Sequence, residues 1–208
     1  RLGCRTLLLT MNPAGIATMP CNPSIGGPGK GHLVREIDAL GGEMARVTDR
    51  TFIQIRLLNT GKGPAVQALR AQSDKALYAQ EMQRVLTEQP GLEVRQAQVV
   101  DIERANAGGL TLQLAGGARL TADSVVLTTG TFLSGRLITG EQITPGGRSG
   151  EAPATGLSAA LRRLGFSLGR LKTGTPPRVD ARTIDYTRAV EHPGHATPLY
   201  FSFEHRER

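Results

Sequence analysis

Met19-Pro20-Cys21-Asn22-Pro23-Ser24-Ile25-Gly26-Gly27-Pro28-Gly29-Lys30-Gly31-His32-Leu33-Val34-Arg35-Glu36-Ile37-Asp38-Ala39-Leu40-Gly41-Gly42 is the stretch on which the reading of this chain turns. It opens with a thiol flanked by prolines and sets four glycines into the six residues from Gly26 to Gly31. Glycines this dense let backbone approach a ligand closely, and prolines stiffen the entry to the loop. Leu33, Val34, Ile37 and Leu40 then recur at helical spacing until Gly41-Gly42 stops the run. Such a helix points its free N–H groups and positive dipole end back at the loop, which suits a phosphate. The same residues also suit a plain turn between two core elements.

Upstream, Arg1-Leu2-Gly3 reads as a helix end with a glycine stop, and Thr6 to Leu9 as a buried strand. A doubly wound nucleotide-binding domain has one earlier strand, a Gly-x-Gly-x-x-Gly turn and a helix before this point, and none is present. The chain is therefore expected to be a piece of a longer protein that lacks the first βα unit. Met11 and Asn12 fall near where such folds meet an adenosine ribose, although an ordinary loop asparagine reads the same.

Downstream, Glu43 to Val47 suits a helical turn, Phe52 to Leu58 alternates as a strand, and Gly61-Lys62-Gly63-Pro64 breaks it. A long helix is predicted from about Ala65 to Glu88, closed by Pro90-Gly91. Leu92 to Ala97, Val99 to Arg104, Leu110 to Leu114 and Ala118 to Thr121 read as strands that include a small meander. Asp123 to Gly130 reads as a buried strand ending in Thr128-Thr129-Gly130, and Thr131 to Gly150 as irregular. A short helix over Ser158 to Leu164 and a strand over Phe166 to Leu171 lead into Lys172-Thr173-Gly174-Thr175-Pro176-Pro177-Arg178. From Val179 onward the reading is a solvated, charged tail holding His192, His195 and His205, with no metal set.

The totals narrow the classes. The chain has 208 residues, 25 Lys and Arg against 18 Asp and Glu, a net charge of +7 and a pI near 10.1. That length buries one core with a small appended subdomain, and that charge favours a polyanion partner, though the basic residues form no block. Cys4 and Cys21 are the only cysteines, which excludes a disulfide framework and a zinc cluster and fits a reducing compartment such as the cytoplasm. No apolar run reaches membrane-spanning length, and no hydrolase triad or P-loop is present.

Cys21 is the candidate nucleophile or redox group, since a thiol near a helix N-terminus ionises more readily; the alternative is a small buried apolar side chain. Cys4 is read as packing at the start of a strand. Lys30, His32, Arg35, Lys62, Arg170, Lys172 and Arg178 accompany the glycine- and proline-rich blocks. Of these, Lys30, Lys62, Lys172 and Arg178 are the candidates for contacts to nucleic-acid phosphates or a cofactor pyrophosphate, since cations position phosphodiesters without reading bases; the alternative is solvated helix faces or C-terminal dipole partners. Glu36 and Asp38 suit acid–base chemistry, but they read rather as members of surface ion pairs.

Cys21-Asn22-Pro23-Ser24-Ile25-Gly26-Gly27 with Gly29 to Gly42, Lys62-Gly63-Pro64-Ala65-Val66, and Gly169-Arg170-Leu171-Lys172-Thr173-Gly174-Thr175-Pro176-Pro177-Arg178 resemble, in order, three blocks of the glucose-inhibited division protein A family. The resemblance runs through essentially the whole chain. It implies the FAD-dependent large subunit of an enzyme that modifies the wobble uridine of tRNA, with NADH and methylenetetrahydrofolate as co-substrates. It also implies a GTPase partner subunit and a homodimer in the full-length parent.

Residue by residue, the resemblance makes Cys21 catalytic and lines the flavin with Asn22, Pro23, Ile25, Gly26 and Gly27. It adds Val99 through its backbone, Thr129, Gly130 and Ala154 as further FAD contacts. The related FAD- and folate-dependent tRNA uridine methyltransferase, and a non-catalytic tRNA-binding or assembly piece, are the alternatives. The expected fold is α/β: a partial Rossmann-like FAD/NAD(P)-binding domain of the glutathione-reductase type spanning 1–208. Within it, 92–122 is expected to form a small antiparallel β subdomain and 131–208 an irregular, inserted substrate-side region.

Overall fold

The structure, a computed structural model, describes residues 2–20 and 22–207. Cys21 lies outside the described residues. The chain divides into two compact units, one made of the residues up to Thr6, Gly15–Leu92 and Thr175 onward, the other of Leu7–Ala14 and Glu93–Gly174. In chain order the elements are β1 (Thr6–Thr10), β2 (Ser24–Gly26), α1 (Lys30–Ala39), α2 (Met44–Thr51), β3 (Phe52–Leu58), β4 (Ala68–Ser73) and α3 (Lys75–Glu88). There follow β5 (Leu92–Gln96), β6 (Val99–Arg104), β7 (Leu110–Leu114), β8 (Arg119–Ala122), β9 (Arg136–Thr139), β10 (Gln142–Pro145) and α4 (Leu157–Arg163). The class is α/β with small antiparallel sheets, as the sequence leads one to expect. No helix among the described residues is long and apolar enough to cross a membrane.

The first unit is built on a three-stranded antiparallel sheet in the order β2-β4-β3, with α1 and α2 packed on β4. Val34, Ala45, Ile55, Leu69, Ala71 and Phe201 form its core. The predicted helix from Ala65 to Glu88 is corrected here. Its first third is the central strand β4, whose Ala68, Leu69, Ala71 and Ser73 are buried between two neighbours that both need its backbone hydrogen bonds. The helix begins only at Lys75, where the Asp74 carboxylate accepts the Ala76 and Leu77 amides at 2.9 and 3.0 Å.

The inward face of α1 is also corrected. Gly31, Val34 and Asp38 are buried, whereas Leu33, Ile37 and Leu40 of the expected apolar face are 57, 42 and 80 % exposed. Asp38 is no surface ion-pair member: one of its carboxylate oxygens accepts the Phe203 amide at 2.8 Å. The tail, read as solvated, holds the most deeply buried aromatic ring of the unit, that of Phe201, and His205 lies 2.9 Å from Asp49.

The second unit carries the meander β6-β7-β8, with α4 against β6 and a core of Ile102, Leu112, Leu157, Ala160 and Leu161. The bonds at the two ends of the β1–β5 pair, Thr6 N to Gly91 O and Ala97 N to Thr10 O, ascend together, so these strands run parallel. Three expectations are corrected. Residues 123–130 form no strand: no ladder partner lies beside them among the described residues, and Val126 is 85 % exposed. Residues 166–171 are likewise unpaired, with Leu171 fully exposed. The stretch 131–150, read as irregular, contains the hairpin β9–β10, whose strands pair from Gln142–Thr139 to Pro145–Arg136. Cys4, read as packed, is exposed.

Candidate functional site

The glycine-rich loop of the first unit is fixed from below by β4. Ser73 N donates to Pro23 O at 2.7 Å, Ser24 Oγ to Gln72 Oε1 at 2.8 Å, and Gly27 N to Leu69 O at 2.7 Å. Ile25 and Pro23 are half-buried, Asn22 is exposed, and Gly27 is buried. At Gly26 a side chain is excluded, because a Cβ there would come within 2.6 Å of Phe201 Cζ and closer still to the Leu69 carbonyl. Gly27, with φ +96°, differs: a Cβ there would meet nothing within 4 Å, although the residue is buried and its N–H and C=O are hydrogen-bonded to Leu69 O and Gly31 N, each at 2.7 Å. The loop thus has no room for a side chain at Gly26 but leaves space beside the Gly27 Cα, and it is followed by the start of α1 at the exposed Lys30.

A cavity of about 390 Å³ lies beside α1, lined by His32, Arg35, Leu57, Gln67, Leu69 and Tyr200 among others. Its volume is at the small end of ligand pockets, and it mixes apolar walls with a few polar groups. Next to it, residues 59–67 close on themselves: Asn59 Nδ2 donates to Val66 O at 2.9 Å and Gln67 Nε2 to Lys62 O at 3.0 Å, which holds the exposed Lys62 at the tip. The exposed Arg178 donates from Nη2 to Pro20 O at 3.1 Å.

In the second unit the predicted cofactor contacts gather around one loop. Phe132 N donates to Thr129 O at 3.1 Å, Ala154 N to Phe132 O at 2.9 Å, and Ser134 N to Ala154 O at 2.8 Å. Gly156 lies so close to β6 that a Cβ on it would sit 2.5 Å from Val100 O, which brings the 154–156 segment beside Val99 and Val100. Thr129, Gly130, Ala154 and Val99 therefore belong to one neighbourhood. Gly130 is exposed, and the other three are half-buried. Lys172 is exposed, and Arg170 donates to Ser134 O at 2.9 Å.

Sequence reasoning missed the contribution of the tail to the glycine loop. The Asp49 carboxylate, with no exposed side-chain surface, accepts the Phe201 and Ser202 amides at 2.8 and 2.9 Å and lies 2.9 Å from His205 Nδ1. This clamp seats Phe201 under Gly26. A signal was available: the consecutive Tyr200, Phe201, Ser202 and Phe203 hold three of the eight aromatic residues of the chain, which is unusual for a solvated segment.

The whole chain, residues 1–208, matches the family described as glucose inhibited division protein A. It is 57 % identical over 205 residues to the tRNA uridine 5-carboxymethylaminomethyl modification enzyme MnmG of Heliobacterium modesticaldum, covering 98 % of this chain and 32 % of the relative. It is 59 % identical over 209 residues to the enzyme of the same name from Chloroflexus aurantiacus, covering all of this chain and 32 % of that one. Among solved structures, Aquifex aeolicus GidA superposes with a TM-score of 0.89 at 46 % identity, over 97 % of this chain and 33 % of the other. The chain spans about a third of the length of the curated relatives it matches. The Rossmann-type α/β class expected from the sequence holds, and the chain belongs to the glucose inhibited division protein A family.

Proposed function

We propose that this chain is the part of a tRNA-modifying flavoenzyme that carries its glycine-rich cofactor loop and a reactive thiol, and that the full-length parent installs a 5-carboxymethylaminomethyl-type group on wobble uridine. The observation that carries this reading is the identity of 57 to 59 % across essentially the entire chain to two enzymes named for that modification. The parent works in the cytoplasm with FAD, NADH and methylenetetrahydrofolate, as a homodimer joined by a GTPase subunit. Bound FAD supplies electron-transfer chemistry.

The residues fit a flavin in the first unit at one feature: the unfilled space beside the Gly27 Cα on a loop held by β4. There Asn22, Pro23, Ile25, Gly26 and Gly27 line the cofactor, and Cys21 acts as nucleophile toward the base. The second unit, taken by itself, offers a cofactor mainly backbone groups at Val99, Thr129, Gly130 and Ala154; a backbone contact at Ala154 does not depend on the side chain. Lys30, Lys62 and Lys172, all exposed, meet tRNA phosphates.

The test is a chimaera in which this chain replaces the matching third of the Heliobacterium modesticaldum relative, placed in a host without wobble-uridine modification. Mass spectrometry of tRNA nucleosides is expected to show the 5-carboxymethylaminomethyl group restored. A plain 5-methyl group in its place would favour the methyltransferase alternative. A folded chimaera that leaves uridine unmodified would overturn the proposal.

A further inference from the structure

Gly26 and Gly27 stand side by side with φ of +90° and +96°, a backbone shape that L side chains rarely adopt. Glycine loses more conformational freedom on ordering than any other residue, so a loop with further glycines at 29 and 31 keeps one shape only where its surroundings impose it. Two neighbours impose it here. From β4, Leu69 O accepts the Gly27 amide and Ser73 N donates to Pro23 O, each at 2.7 Å. From the tail, the fully buried ring of Phe201 fills the space beside Gly26, and Ile25 packs on the core cluster to which that ring belongs. The tail is in turn anchored by the two helices. Arg35 of α1 donates to Tyr200 O at 3.2 Å, and Asp49 of α2 accepts the Phe201 and Ser202 amides. Asp38 of α1 accepts the Phe203 amide at 2.8 Å, and Arg46 of α2 pairs with Glu204. Each residue from 200 to 204 is thus held by a side chain of α1 or α2. A loop that a ligand must first order binds with the cost of ordering subtracted from its affinity, and a loop already ordered does not.

We propose that Phe201 is a positioning residue for the cofactor: carried on its anchored tail, it preorganises the glycine-rich loop, so that docking of the tail and binding of the flavin are thermodynamically linked. This assignment rests on the reading of residues 22–27 as a flavin loop. Linkage is reciprocal: the factor in FAD affinity that is lost when the tail undocks is gained in tail docking when FAD is bound. A ring that served stability alone would have no differential interaction with the loaded and empty loop, and neither equilibrium would shift the other.

Two measurements test this, and the first needs no cofactor. In the 208-residue chain, Phe201→Ala is expected to speed amide hydrogen exchange at Gly27 and Ser73 by about tenfold, with the β6–β8 meander unchanged. Phe201→Met, which refills most of the volume, should largely restore protection. Unchanged exchange at Gly27 and Ser73 overturns the positioning role whether or not a flavin binds. In the chimaera, Phe201→Ala is expected to raise the Kd for FAD about tenfold and Phe201→Met to recover most of it. Asp49→Asn, which leaves the ring intact but loosens its anchor, should shift the Kd in the same direction. Saturating FAD is expected in return to slow exchange at the Phe201 and Ser202 amides of the unsubstituted chimaera by about the same tenfold. An FAD affinity equal in all folded variants, or tail exchange indifferent to FAD, overturns the linkage. A chimaera that holds no flavin defeats the function proposed above, while the exchange measurement on the chain alone still decides what the ring does for the loop.

Discussion

The ring of Phe201 occupies the space into which a side chain at residue 26 would project: a Cβ on Gly26 would lie 2.6 Å from Phe201 Cζ. The two residues are 175 positions apart, yet the ring is fully buried beneath the loop, and the Leu69 carbonyl closes the same space from β4. Gly26→Ala must therefore strain a backbone at φ +90° and displace either a ring or a carbonyl. The expected loss is about 3 kcal/mol in urea unfolding of the first unit. Phe201→Leu shortens the ring but leaves the carbonyl, so the double variant should be no more stable than Gly26→Ala alone. Recovery towards the parent stability would show that the ring, not the strand, sets the limit.

Asp49 makes that arrangement possible. Its buried carboxylate takes two consecutive amides from the tail and faces His205, so the aromatic segment is held by one side chain of α2. Asp49→Asn keeps the shape but removes the charge and one acceptor oxygen. The expected cost is about 2 to 3 kcal/mol, appearing first as lost hydrogen-exchange protection at Phe201 and Ser202. Protection that persists at both amides would mean packing of Phe201 alone secures the tail.

How much of this was legible follows from the range of the interactions. The strands Phe52–Leu58 and Val99–Arg104 coincide with their predicted spans, because alternation and glycine turns are local signals. The strand Ala68–Ser73 was hidden because Ala, Arg and Gln are good helix formers, and only pairing with a strand on each side, the preceding β3 and the distant β2, overrides that preference. The same limit applies to the candidate site. The glycine loop announces itself in composition, whereas its floor is Phe201 and an upstream tie is Arg178, contacts between residues more than 150 positions apart that no spacing rule encodes.

The link between α2 and α3 has its own pH dependence. Glu81 accepts from Arg84 at 2.8 Å and from Arg50 of α2 at 2.7 Å, and these hydrogen bonds, that from Arg84 foremost, hold its carboxyl down at about 2. A carboxylate with a lowered folded pKa stabilises above the ordinary carboxylate range, and that contribution is lost as pH falls from about 4.5 towards 2. Glu81→Gln should therefore be less stable than the parent at pH 7, with the gap closing across that acid range. A gap that is constant from pH 7 to pH 2 would exclude ionisation of Glu81 as its source.

The assignment of Cys21 rests on chemistry that only a thiolate supplies, and a serine at that position tests it with minimal change of volume. A hydroxyl is far less acidic and less nucleophilic than a thiol at neutral pH, so attack on the uridine base should fall by orders of magnitude. The flavin contacts proposed for Asn22 to Gly27 depend on backbone held by β4, not on the sulfur, so flavin absorbance should survive the change. In the chimaera, Cys21→Ser is accordingly expected to retain its flavin band and its tRNA affinity while forming no modified uridine. The Cys4→Ser control, at an exposed position, should behave as the parent. Modification that persists in Cys21→Ser would leave the loop as a cofactor-binding element alone and transfer the nucleophile to another part of the enzyme.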